Sequence, residues 1–343
     1  RLAGAAAAAA AVFAFAHPAM ALPAYAAQTG EQCSACHVGG FGPQLTAHGR
    51  LFKIEGYGAT QSWSKPDFSK AVPLSGMAVV NFTHTKADQT DPPADHFSRN
   101  DNLAVQEVSA FLAGNLGGGV GTFVQATYSG VDRKASLDNV DIRWAREVKL
   151  GGKDAVVGAT LNNNPTVQDP WNSTPAWGFP YTSSDLAPGK PAVPLVADGL
   201  GQQVLGASAY AFLDSHIYAE LGAYRRMSSG LMDVFNLDRE TYLSGAAPYW
   251  RLAWTNGQGP MSYSVGVFGL DAKVKPDPTA PGTDHYRDLG LDATYQRQLP
   301  QKGAVSLNAA YIHERRRLNA TFAAGDAAER TGHIDSFTLD GSY

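Results

Sequence analysis

Apolar and polar positions alternate along most of this chain. In the run 120–129, Val120, Thr122, Val124, Ala126 and Tyr128 share one face, with Gln125, Thr127 and Ser129 on the other. Ile217, Ala219, Leu221 and Ala223 oppose Tyr218, Glu220, Tyr224 and Arg226. Leu289, Leu291, Ala293 and Tyr295 oppose Asp288, Asp292, Thr294 and Gln296, and Trp250, Leu252 and Trp254 oppose Arg251 and Thr255. Residues i and i+2 line one face of a strand, so this period predicts β-structure. Twelve such runs follow one another: 74–86, 103–114, 119–130, 136–149, 154–162, 203–213, 215–226, 246–256, 260–271, 285–299, 302–316 and 332–343. Most are near the length of a tilted strand that crosses a bilayer.

The connections sort by length. Those at 115–118, 150–153, 214, 257–259 and 300–301 are short. Those at 87–102, 163–202, 227–245, 272–284 and 317–331 are long, and 131–135 is intermediate. Short turns at one end and long loops at the other mark an outer-membrane barrel, and a soluble β-sandwich has no reason to alternate in this way. The predicted fold is therefore all-β, a transmembrane antiparallel β-barrel. The last run is still alternating at Tyr343, which leads us to expect about sixteen strands in the full protein, typical of porins. Composition agrees: charged residues are 17%, below the usual share of about 25%, with 36 glycines and 10% aromatics. A net charge of −4 speaks against a nucleic-acid partner.

The N-terminal part differs. Arg1 precedes an apolar, alanine-rich stretch from Leu2 to Ala16, and Ala24-Tyr25-Ala26 and Ala19-Met20-Ala21 both offer small-x-small cleavage sites. Residues 1–26 thus read as part of a signal peptide. Residues 27–66 carry both cysteines of the chain, in Cys33-Ser34-Ala35-Cys36-His37. Cys-x-x-Cys-His is the attachment motif for one covalent haem c, with His37 as proximal iron ligand. No other cysteine offers a disulfide or completes a zinc site. A segment this short builds little core of its own. Its apolar residues are few, so the lumen of the barrel formed by 67–343 is the expected shelter, with the haem segment entering from the short-turn, periplasmic side. The sixth ligand is open between His48, Met77 on the lumen-facing side of the first strand, and neither. Asp88, Asp91, Asp95, His96 and Asp101 in the first long loop could meet a cation such as Fe(II) or could simply be solvated.

These residues resemble the fused monohaem cytochrome c–porin family of outer-membrane iron oxidases. The resemblance rests on Gly30, Cys33-Ser34-Ala35-Cys36-His37, Phe41, Leu45, Gly49-Arg50, Phe52-Lys53, Gly56-Tyr57 and Pro73-Leu74-Ser75-Gly76-Met77. It continues in Asn162-Asn163-Asn164-Pro165-Thr166 and in Trp171 to Phe179. The chain departs from the family's pattern at Gly42 and His48. The resemblance implies an electron conduit in the outer membrane, with Fe(II) oxidase activity as one form of it: an extracellular donor such as Fe(II) on one side, a soluble periplasmic cytochrome on the other, and outer-membrane lipid around the barrel. Two other functions use the same parts, a transport porin with a structural or sensory haem plug and a conduit that exports electrons.

Overall fold

The computed structural model describes residues 23–40, 44–58, 73–174, 184–189, 192–256, 259–299 and 303–343. The stretch 1–22, the second half of the Trp171–Phe179 motif, and Phe41, Gly42 and Pro43 lie outside these residues. The period-two runs all form strands: β1 (Leu74–Thr83), β2 (Asn102–Gly117), β3 (Val120–Ser129), β4 (Lys134–Leu150), β5 (Lys153–Asn162), β6 (Val204–Leu213), β7 (Ile217–Arg226), β9 (Ala246–Thr255), β10 (Met261–Lys275), β11 (Asp284–Leu299), β12 (Gly303–Arg317) and β13 (Thr331–Ser342). The thirteenth, β8 (Tyr242–Leu243), has no alternating run behind it. It pairs with Val274 and Lys275, which carries β10 beyond the expected end at 271. Strand β1 ends at Thr83, short of the expected 86, because residues 85–101 fold on themselves through Asn100, whose side chain bonds both backbone groups of Thr85.

The twelve long strands pair antiparallel in chain order, with β8 beside β10 alone, and the sheet runs from β1 to β13 as its two edges without closing. Its polarity is inverted relative to a soluble protein. Leu103, Leu205, Leu221, Leu252 and Leu291 are exposed on the outward face. Gln125, Asn139, Thr160, Arg251 and Glu314 are buried on the inward one. No helix among the described residues is long and apolar enough to cross a membrane.

Among the described residues, two main pieces of chain cover the inward face. The first is the N-terminal segment: α1 (Pro23–Thr29), the single turn α2 (Cys33–Cys36) and α3 (Ala47–Ile54). It sits at the short-turn end. The Asn115 amide donates to Gln28 Oε1 at 2.7 Å, and the Tyr25 hydroxyl donates to the Thr122 carbonyl at 2.8 Å. Arg50 donates to Ser262 Oγ at 3.0 Å, and Gln296 donates to the Leu45 carbonyl at 2.8 Å. Contacts therefore reach strands from β2 round to β11. At Gly121 the Gly56 carbonyl presses so close that a Cβ could not be accommodated, which fixes glycine where the chain after α3 meets the wall. The second piece is the long connection after β5. Its helix α4 (Pro165–Gln168), with Asp169 and Trp171, is buried inside. Two further helices, α5 (Ser229–Val234) and α6 (Asn319–Ala324), lie in long-end loops.

Candidate functional site

The Cys33-to-His37 turn owes its position to two caps and a close approach. Helix α2 puts Cys33 and Cys36 three residues apart, on one side of a single turn. No disulfide joins them, and both are half-buried. The His37 amide donates to the Cys33 carbonyl at 2.8 Å, and the chain then extends to form a bridge with Leu45. Thr46 closes the loop. Its amide donates to the Cys36 carbonyl at 2.9 Å and its hydroxyl to the Ala35 carbonyl at 2.5 Å. The same hydroxyl oxygen caps α3 by accepting from the Gly49 amide at 3.0 Å. Gly49 then packs directly on the Cys36 backbone, where a Cβ would lie 2.9 Å from the carbonyl carbon and closer still to its oxygen.

Burial raises the pKa of the Cys36 thiol to about 11, reinforced by Glu31 and Cys33. A redox-active Cys-x-x-Cys pair needs the opposite shift. His48 Nε2 lies 2.8 Å from Glu31 Oε2, both side chains being about two-fifths exposed. The ligand atoms of Glu31, Cys36 and His48 fall within 4.8 Å of one another, the one such group of three among the described residues. So His48 is brought beside Cys36. Met77 points inward from β1 as expected, and packs with Tyr25 against the cluster of Phe52, Tyr57, Phe111 and Phe123. That cluster contains no residue of the Cys33-to-His37 turn; Val38–Gly40, just after the turn, lies beside β12.

The acidic first loop does not gather. Asp101 Oδ1 lies 2.8 Å from His84 Nδ1, and Asp88 accepts from Asn100 at 3.4 Å. Asp91, Asp95 and His96 add no third ligand to either pair.

Several residues to which sequence reasoning assigned no role tie the site to the wall. Lys53 on α3 donates to the Val167 and Asp169 carbonyls at 2.6 and 3.0 Å. Burial and the charge of Arg143 lower its pKa to about 8. Fully buried Arg143 donates to Asp141 at 2.8 Å and lies between the rings of Tyr57 and Tyr210. Asp141 also accepts from the Tyr57 hydroxyl at 2.6 Å and from Thr160 at 2.7 Å. Arg251 pairs with Asp292 at 2.8 Å and covers the Trp171 ring, whose Nε1 donates to Ser264 at 2.9 Å. The available signal was in the alternation: Asp141, Arg143 and Arg251 stand at inward positions of their runs, where a charge must find a partner.

Comparison with known proteins brought no match to a family model, to a curated protein or to a solved structure.

Proposed function

We propose that this chain is an outer-membrane electron conduit. One haem c, attached at Cys33 and Cys36 with His37 as proximal ligand, is held at the short-turn mouth of a porin-like barrel. It takes electrons from an extracellular donor, with Fe(II) the candidate, and passes them to a soluble periplasmic cytochrome. The observation that carries this reading is the Cys33-to-His37 turn itself, anchored by Thr46 and Gly49 to a segment that lies on the inward face of an inside-out sheet.

The residues present fit such a group. The two thiols stand on one turn and no disulfide joins them, so both sulfurs are in the reduced form that adds across a haem vinyl group. When bound there, a haem supplies one-electron exchange at an iron tuned by its axial ligands. The chain supplies the rest. His37 follows the second cysteine directly, Glu31 orients the His48 ring 2.8 Å away, and Leu51, Phe52 and Ile54 pack α3 against the inner wall beside the site. Lys53 and Arg50 fasten that helix to the wall. The outward leucines and tryptophans suit lipid, and the short turns suit the periplasmic side. Only an electron then has to cross the membrane, so ferric product is left outside.

Stopped-flow mixing of the oxidised, haem-loaded protein with anaerobic Fe(II) near neutral pH tests this. Haem reduction within seconds, followed by reoxidation on adding a soluble cytochrome, is expected. A haem that stays oxidised for minutes with Fe(II) while dithionite reduces it at once rules out iron as donor. A midpoint potential well below the iron couple reverses the direction of flow.

The buried polar inward face also favours a second reading, a channel porin whose N-terminal segment is a plug. Pore conductance in planar bilayers, unaffected by haem oxidation state, distinguishes it.

A further inference from the structure

The outward face changes character abruptly at the long-loop end of β10–β13. Val267, Leu291, Tyr311 and Phe337 stand side by side in register, an apolar band across four strands. Four residues nearer the rim, about 14 Å along an antiparallel strand, Asp271, Arg287, Arg315 and His333 stand side by side instead. One pair further, Lys273, His285 and Arg317 are adjacent. Arg287 thus directly opposes Arg315, and His285 lies between Lys273 and Arg317.

Like charges directly opposite one another across strands are destabilising. Two carboxylates serve the patch, and both are engaged at its margins. Asp271 contacts His285 at 2.7 Å and Arg287 at 2.8 Å. Asp335 contacts His313 at 2.7 Å and accepts from Tyr311 at 2.6 Å. Lys273, Arg287, Arg315 and Arg317 against Asp271 and Asp335 leave 4 − 2 = +2 with every histidine neutral. The side chains are open to the outside: Arg287 is 59% exposed and His333 68%.

We infer that this rim binds the phosphorylated headgroup of a lipid in the leaflet at the long-loop end. The inference rests on the membrane reading above. Apolar side chains below would meet acyl chains while the guanidinium pairs above meet phosphate. Arginine's planar fork suits phosphate oxygens in bidentate geometry, and an interposed anion turns the Arg287–Arg315 repulsion into attraction. A solvated basic rim needs no such band beneath it; a lipid site needs both halves in this order.

The test uses the full chain in vesicles and in neutral detergent. Flotation with the vesicles establishes membrane entry separately; a protein that stays in the aqueous phase refutes the membrane reading and this site with it. With protein that floats, binding of diphosphoryl lipid A is compared with its dephosphorylated form and with inorganic phosphate. At least ten-fold preference for the diphosphoryl form is expected. A ten-fold or greater loss is expected in Arg287→Gln/Arg315→Gln, a variant whose β-sheet circular dichroism should match wild type. Equal binding of the dephosphorylated lipid, or unchanged binding by the double variant, overturns the proposal. Inorganic phosphate that binds as tightly as the lipid reduces the patch to an ion site and also overturns it. A misfolded double variant is replaced by Lys273→Gln/Arg317→Gln, judged by the same ten-fold criterion.

Discussion

Gly49→Ala is the sharpest perturbation of the candidate haem site, because two effects of opposite sign can be weighed. Gly49 occupies the third position of α3, and alanine there gains about 0.5–1 kcal/mol of helix propensity. Against this, the new Cβ would sit 2.9 Å from the Cys36 carbonyl carbon and 3.0 Å from its Cα, where ordinary contact begins at 3.4 Å. The atoms in the way are backbone, so no side chain can swing aside. The Cys36 carbonyl oxygen is closer still, so the helix must retreat by more than the 3.4 − 2.9 = 0.5 Å that the carbon alone demands. Retreat strains the bonds from the Thr46 amide and hydroxyl to Cys36 and Ala35, each worth about 0.5–1.5 kcal/mol. Overpacking itself costs about 1–3 kcal/mol. The clash therefore wins, by roughly 1–5 kcal/mol on these ranges. The assay is haem-stained denaturing electrophoresis with a pyridine haemochrome ratio, together with limited proteolysis of the N-terminal segment. Gly49→Ala should lose covalent haem and become protease-sensitive there. Gly230→Ala is the control, since that glycine lies in α5 with nothing within 4 Å of its Cβ direction. Full haem loading and wild-type protease resistance in Gly49→Ala would refute the packing argument.

Other outcomes follow from the same contacts. Asp141→Ala strands the fully buried Arg143 and should cost about 3–5 kcal/mol of thermal stability in detergent; Asp141→Asn/Arg143→Met should recover part of it, and no recovery argues against charge stranding as the cause. Cys33→Ala/Cys36→Ala should abolish haem that survives denaturation, and covalent haem retained in that variant removes the attachment assignment. His48→Ala should move the iron to high spin or to another ligand if His48 is axial, whereas Met77→Ala alone should remove a methionine–iron band if Met77 is; unchanged spectra in both exclude both residues. Lys53 has a folded-state pKa of about 8, against the ordinary lysine value of 10.5 that it regains on unfolding. The unfolded chain therefore holds that proton more tightly, so the Lys53 contribution to stability is flat below pH 8 and rises between pH 8 and about 9.5, measured on haem-loaded protein, in which Cys36 is a thioether and does not titrate, and below the range where tyrosines ionise in the unfolded chain. Lys53→Met should flatten this window in thermal melts, and an unchanged slope assigns it to another group.

The alternation of polar and apolar residues determined the twelve long strands, their order and which side each residue faces, because period two in a strand is enforced by local geometry. It also determined the division into short turns and long loops, and the Cys33-to-His37 motif was legible as a spacing. Strand β8 was not legible, since two residues carry no period and their pairing depends on where β10 happens to continue. Inward folding of the 163–202 loop was one of two readings open to the sequence, beside a loop packed on itself, because for 163–174 it depends on Lys53 and Arg143 finding the carbonyls of α4 and Asp169. The sequence left the expected sixth ligand open between His48, Met77 and neither. Only the tertiary structure set His48 against Glu31 and Cys36 and packed Met77 with Tyr25 and Phe52. The reason is physical: the face of a strand is fixed by its own backbone, but the neighbour a buried charge or thioether meets is fixed by long-range packing and by the need to satisfy every buried polar group.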